Sequence, residues 1–241
     1  MSEIHALEYL AGLLQCYPLQ ANSYNDAPLK VGRGRYSVFR IYPGNMELRF
    51  HNHLDLLQRS ATIPGMPFPH HPVEIRESVR LAPQSTKISL PLVRLLALQD
   101  FSPSTQEECQ QCVQVATAPL KRIKITAKES RFIRIRDNLR QLHPQSREIL
   151  IFVEVVRTLE GISSYYFVVL IDEFRTAGEG VLEGVSRSIL SEVAYGFLLV
   201  NLKSIYFCDR ADMQETFMTC MFRGILPTNK VGDIQIWLSQ P

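Results

Sequence analysis

Glycine occupies only 12 of the 241 positions, and nowhere does the chain contain a Gly-x-x-x-x-Gly-Lys-Ser/Thr loop. That absence removes the phosphate cradle that nucleotide hydrolases need. Val168-Val169-Leu170-Ile171-Asp172-Glu173 has the strand-plus-acid form of such enzymes, but without the loop it reads as a buried strand emerging into water. Gly32-Arg33-Gly34-Arg35 is too short to replace it. No His-x-Glu precedes the cysteines, which excludes a zinc deaminase. No Gly-x-Ser-x-Gly elbow occurs either, so covalent catalysis has no named nucleophile. Long apolar runs are missing as well. The longest, residues 149–156 and 165–171, fall short of the roughly 20 residues a membrane-spanning helix requires. The five cysteines are an odd number with no apolar leader ahead of them, so the expected setting is a reducing intracellular compartment, cytoplasm or nucleus.

What is present suits a packed globular protein, with 46% hydrophobic and 21% charged residues. This is enough apolar material to offset the entropy of folding. One globular domain over residues 1–241 is expected, with a possible subdomain boundary at Pro64, Pro67, Pro69 and Pro72, where regular hydrogen bonding is blocked. Ile4, Leu7, Leu10 and Leu14 recur at helical spacing, predicting an N-terminal helix over 3–16. Pro43-Gly44-Asn45 joins two short strands into a hairpin, followed by a helical turn near Leu54. Val73, Ile75, Val79 and Leu81 alternate with Glu74, Arg76, Ser78 and Arg80, which predicts a strand with one wet face. Pro91 suits the first turn of a short helix through Leu98. Residues 120–126 and 131–136 alternate and suggest a second hairpin. Residues 149–157 and 164–174 are dense in Ile, Val, Phe and Tyr around Glu160-Gly161, and predict a long central hairpin. Leu182, Val185, Ile189, Val193, Phe197 and Val200 form one stripe, predicting an amphipathic helix over 181–203 that covers it. A short helix over 213–222 and a strand at Ile234 complete the pattern. The expected fold is therefore α+β with a mainly antiparallel sheet.

Positive charge is concentrated in Lys121, Arg122, Lys124, Lys128, Arg131, Arg134, Arg136 and Arg140, opposed locally by Glu129 and Asp137. On a two-stranded ribbon Arg122 and Lys124 share a face, as do Arg134 and Arg136. Such a surface would grip nucleic acid or an anionic membrane through phosphates, without reading bases. The plainer alternative is a solvated edge balanced by acidic neighbours. Cys109 and Cys112 have the spacing of a zinc-chelating pair, with His70 and His71, or His51 and His53, as possible completing ligands. The nearest histidine, however, lies 38 residues before Cys109. Glu148, Glu154, Asp172 and Glu173 could supply the carboxylates of a metal-dependent nuclease, as any two paired acidic strands could. The aromatic and Met-rich last third, including Tyr165, Tyr206, Phe217 and Met221, and the proline segment, fit contacts with other protein subunits and an oligomer as well as a core.

Because each enzymatic motif lacks a required part, the sequence favours a non-catalytic assembly or adaptor protein. It would be matrix-like or RNA-binding in character, without a cofactor, engaging a polyanionic surface through the basic ribbon. Two alternatives remain: a metal-dependent hydrolase or nuclease, and an interaction module stabilised by zinc on Cys109 and Cys112.

Overall fold

A computed structural model describes residues 4–10, 13–20, 36–44, 46–62, 72–81, 84, 91–94, 97–100, 104–121, 128–129, 131–153, 157–171 and 173–235. The chain divides into two compact units, one of Met1–Ser102 with Thr126–Arg134, the other of Pro103–Ile125 with Ile135–Pro241.

Unit one holds strands β1 (His5–Leu10), β2 (Leu13–Pro18), β3 (Val38–Tyr42), β4 (Met46–Glu47), β5 (Pro91–Arg94) and β6 (Ala97–Asp100), with helices α1 (Phe50–Thr62) and α2 (Pro72–Leu81). The strands form one sheet in the order β2-β1-β6-β5-β3-β4, all pairs antiparallel. The N-terminal helix expected over 3–16 is a hairpin instead, with Leu10 paired to Leu13. Its apolar spacing misleads because Ile4, His5 and Ala6 are all buried, so the segment that leads into the strand lacks the alternation of a half-wet one. The helix expected from Pro91 is likewise a strand pair, β5 against β6. The hairpin at Pro43-Gly44 forms as expected, β3 against β4, with Gly44 at φ +77°, a conformation glycine adopts without strain.

The strand expected from Val73 is helix α2. Ile75 and Val79 are buried while Val73 and Leu81 are exposed at 54% and 60%, which is the i, i+4 pattern of one helical face. Pro72 opens the helix, Glu74 sits in its first turn and Arg80 in its last, each complementing an unsatisfied end of the backbone. Arg80 forks onto Glu47 at 2.8 and 3.0 Å. Phe50, Leu54 and Leu57 line the inner face of α1, and Phe50 meets Phe39 of β3 edge-on at 5.3 Å.

Unit two holds the short helix α3 (Gln106–Gln111), β7 (Val113–Pro119), β8 (Glu148–Val153), β9 (Arg157–Gly161), β10 (Tyr165–Leu170), β11 (Glu173–Thr176), β12 (Leu199–Asn201), β13 (Ile205–Tyr206), β14 (Met213–Cys220), β15 (Gly224–Val231) and β16 (Ile234–Gln235). Helix α4 (Arg131–Leu142) begins in unit one and runs into unit two, where helix α5 (Val185–Ala194) also lies. The sheet order is β12-β11-β10-β14-β15-β7-β8-β9-β13, with β16 beside β15. Three pairs, β11 with β12, β15 with β7 and β7 with β8, are parallel. The core gathers Val113, Val115, Leu150, Tyr166, Val168, Met213, Met218 and Leu226, beside an aromatic cluster of Phe167, Phe174 and Phe217.

This overturns the expected central hairpin over 149–174. Residues 149–157 and 164–174 do not pair with each other: β8 pairs with β9, β10 pairs with β11, and Glu160-Gly161 stands inside β9 rather than in a turn. Each apolar run was long enough to hold its own reversal. The covering helix expected over 181–203 is α5, ten residues long, and Val200 belongs to β12. The helix expected over 213–222 is β14, whose strand form is set by pairing on both edges, with β10 and β15. The proline segment, residues 64–71, lies outside the described residues.

Candidate functional site

The basic ribbon does not form. Residues 131–142 are helix α4, on which Ile133 and Arg136 are buried and Arg134 and Ile135 exposed. Residues two apart stand about 200° apart around a helix, so Arg134 and Arg136 point in different directions. Arg122 and Lys124 lie outside the described residues, Lys121 is exposed after β7, and Arg131 opens α4. Arg140 is half-buried and donates to Ser163 Oγ at 3.2 Å. Lys128 is half-buried in unit one.

Around Lys128, unit one is built from three elements. The Tyr36 amide donates to the Lys128 carbonyl at 3.2 Å, and the Lys128 amide to Ser60 Oγ of α1 at 3.4 Å. The Lys128 ammonium lies 5.3 Å from the centre of the buried Tyr36 ring, a cation–π distance. His53 of α1 is 2% exposed, packs on Phe39 and bonds Ser37 Oγ through Nδ1 at 2.9 Å, while Nε2 has no partner. Burial, aided by the charge on Lys128, pushes its pKa down to about 3. The imidazole is therefore neutral at pH 7 and adds no charge beside the lysine.

In unit two the feature with binding chemistry is the start of α5. Gly184 is its N-cap, in extended conformation, and no side chain caps the helix; Ser186 and Val185 are buried and no acid sits in the first turn. Free amides at a helix start, with no carboxylate on them, form an anion cradle. A Cβ at Gly184 would collide with the Tyr165 hydroxyl, so only glycine lets the loop approach there. The buried Glu160 of β9 accepts the Leu182 amide on Oε2 at 3.3 Å, tying the strand to the loop that enters the helix. Arg187 donates to the Ala177 carbonyl at 2.8 Å and pins the first turn from the other side.

The carboxylates read as a nuclease set are dispersed. Glu148 is wholly buried against Arg223 at 3.2 Å, Glu173 pairs with Arg175 at 2.7 Å, and Glu154 and Asp172 lie outside the described residues. Cys109 and Cys112 are half-buried free thiols; burial, with Cys109 nearby, raises the Cys112 pKa. His70 and His71 are outside the described residues, among which no three His, Cys, Asp or Glu side chains group to hold a metal. Sequence reasoning took His53 for a possible zinc ligand and Glu160 for part of a turn, and passed over the Leu182–Ser186 loop. The one signal available was Gly184 just ahead of a helical stripe, which the reading absorbed into a longer helix.

The sequence matches no protein-family model and no curated protein. The structure resembles several solved ones over nearly its whole length. A branched-chain aminotransferase from Thermoproteus uzoniensis matches with a TM-score of 0.77 and 18% identity, covering 100% of this chain and 91% of that one. A T.th. branched-chain amino acid aminotransferase, solved with pyridoxamine 5′-phosphate, gives 0.78 and 16%, covering 97% and 87%. A Legionella pneumophila protein assigned as a 4-amino-4-deoxychorismate lyase gives 0.75 and 15%, covering 92% and 91%. The chain therefore has the fold of these proteins, a large mixed sheet with few helices. That corrects the expectation of a mainly antiparallel sheet under an amphipathic helix. It also overturns the non-catalytic, matrix-like or RNA-binding adaptor, since the proteins sharing the fold are described as aminotransferases and a lyase.

Proposed function

We propose that this chain is an enzyme of amino-group chemistry, an aminotransferase or lyase, that uses a pyridoxal-type 5′-phosphate cofactor. The observation that carries the reading is the fold shared with branched-chain aminotransferases across the whole chain. The residues present fit the group. The uncapped start of α5, with Gly184, Val185 and the Ser186 hydroxyl, offers amide and hydroxyl donors to a phosphate dianion. Glu160, buried and tied to the same loop, is the acid we assign to the ring nitrogen. Unit one, taken by itself, offers Lys128 as its candidate amine. It is one of two half-buried lysines among the described residues, and the other, Lys230, sits within strand β15, whereas Lys128 lies outside helix and strand.

When bound, such a cofactor supplies an electron sink for a carbanion next to the substrate nitrogen. The chain's own residues do the rest. In unit two the α5 amides and Ser186 would bind and orient the phosphate, and Glu160 would present a buried carboxyl tied to the same loop. In unit one, His53, held neutral by burial, puts no cation on the imidazole beside Lys128.

The test is direct. Purified protein incubated with pyridoxal 5′-phosphate and reduced with borohydride should carry one covalent adduct, mapped to the peptide containing Lys128. Ser186→Ala should weaken cofactor binding about tenfold, the cost of one charge-assisted hydrogen bond. A protein that takes up no cofactor, or an adduct scattered over several lysines, would sink the reading.

A further inference from the structure

Cys109 and Cys112 are nucleophilic side chains of unit two that the cofactor chemistry leaves unused. Both are free, half-buried thiols. Cys109 lies in α3, its amide donating to the Thr105 carbonyl at 3.1 Å, and Cys112 is the residue between the end of α3 and the start of β7. Residues three apart along an α-helix have Cα atoms about 5 Å from each other, inside the roughly 4.4–6.8 Å that a disulfide spans. The main chain already stands at bridging distance.

Cys112 leaves the helix with φ +58°, the left-handed conformation that glycine or asparagine ordinarily supplies at a helix end. A cysteine there is strained, and such strain persists only where the surroundings over-determine it. Here they do: the Gln111 side chain donates back to Glu107 at 3.0 Å, the Gln111 carbonyl accepts from Asn229 of β15 at 3.1 Å, and Val113 pairs with Thr228. The neighbouring strand thus holds the turn that sets the two cysteines at this spacing. Burial first, then Cys109, raises the Cys112 pKa, so Cys112 is a protonated thiol at neutral pH. No stabilised thiolate at Cys112 opposes a neutral disulfide, unlike the oxidoreductase pairs whose lowered pKa favours the reduced form.

We propose that Cys109 and Cys112 are a reversible modification site, a dithiol that a small-molecule disulfide converts to an intramolecular disulfide. One protein thiolate attacks a sulfur of the reagent and expels one thiol; the second attacks the resulting mixed disulfide and expels the other. The two cysteines are oxidised, the reagent is reduced to two thiols, and the two cysteine protons end on those thiols. The site involves neither α5 nor Lys128, so it stands or falls independently of the cofactor reading.

The test uses full-length protein, freed of reductant, incubated with glutathione disulfide, quenched in acid, alkylated and digested with trypsin. Residues 95–121 form one tryptic peptide that holds both cysteines. It should be lighter than the reduced peptide by two hydrogen atoms, with neither cysteine alkylated or carrying glutathione, and dithiothreitol should reverse the change. Cys109→Ser and Cys112→Ser should each abolish it. Phenylarsine oxide, whose arsenic bridges two neighbouring thiols, reads proximity without oxidation and should bind the reduced protein about tenfold or more tighter than either serine variant. Glutathione adducts on both cysteines, a bond from either one to Cys16, Cys208 or Cys220, or equal arsenical affinity in the variants overturns the site.

Discussion

Glu148 and His53 are buried titratable groups whose environments act in opposite chemical senses but make the same prediction in acid. For Glu148, burial alone would raise the carboxyl pKa, but Arg223, the Ser163 hydroxyl, Arg140 and the Ile149 amide outweigh it and hold the pKa below the ordinary 4.5. A depressed carboxylate contributes stability above its unfolded pKa and loses it as pH falls through the folded one. For His53 the folded pKa of about 3 lies below the unfolded 6.5, so between those values the unfolded chain binds the extra proton. Stability should fall by about 1.4 kcal/mol per pH unit through that window as acid is added. Urea titrations from pH 7 to 4 should show the decline, and His53→Gln should flatten it; an unchanged slope would contradict the neutral, buried imidazole. Glu148→Ala leaves Arg223 without its counter-ion and should cost about 3–5 kcal/mol in denaturant unfolding. Neither effect was visible in the sequence, where Glu148 was one acid among several, because burial and partner are set by residues 15 and 75 positions away, Ser163 and Arg223.

The elements show where period reading worked and where it failed. The hairpin at Pro43-Gly44-Asn45, the helix around Leu54 and the strands 149–153 and 165–170 were legible, because turn chemistry and short-range patterns specify them locally. Helix α2 was misread because the apolar residues at 73, 75, 79 and 81 alternate as on a strand, while only 75 and 79 stand on one helical face and are buried. The helix predicts unequal costs: Ile75→Ala, in the core, should lose about 2–5 kcal/mol, whereas Val73→Ala, mostly exposed, should stay within about 0.5 kcal/mol. Similar losses at both positions would favour the strand. β14 reads as a helix in isolation, since Met213, Phe217 and Met218 fall near helical spacing, but its backbone groups are claimed by β10 and β15. Gly184 belongs to this scale too. Gly184→Ala forces a side chain into Tyr165 and should lower cofactor affinity by displacing the start of α5, read as a higher pyridoxal phosphate concentration for half-saturation by absorbance.

For the whole molecule, cofactor binding should appear as stability. A ligand that binds only the folded state at 100 times its dissociation constant adds about 2.7 kcal/mol, so pyridoxal 5′-phosphate should raise the melting temperature with the logarithm of its concentration above the dissociation constant, and less so in Ser186→Ala. No rise at any concentration would count against the cofactor reading. The amino-acid sequence by itself determined that the chain folds into a packed core, that it lacks a nucleotide-binding loop, and that several short segments turn or pair locally, since composition and turn residues act over a few positions. The tertiary structure decided the rest. Whether residues 131–142 form a ribbon or a helix, whether β8 pairs with β9 or β10, and whether Glu160 of β9 meets the loop that carries Gly184 all depend on pairing and burial between distant segments. That is why the concentration of basic residues, the most conspicuous feature of the sequence, formed no ribbon, and why Gly184, the N-cap of α5, lay hidden inside a longer expected helix.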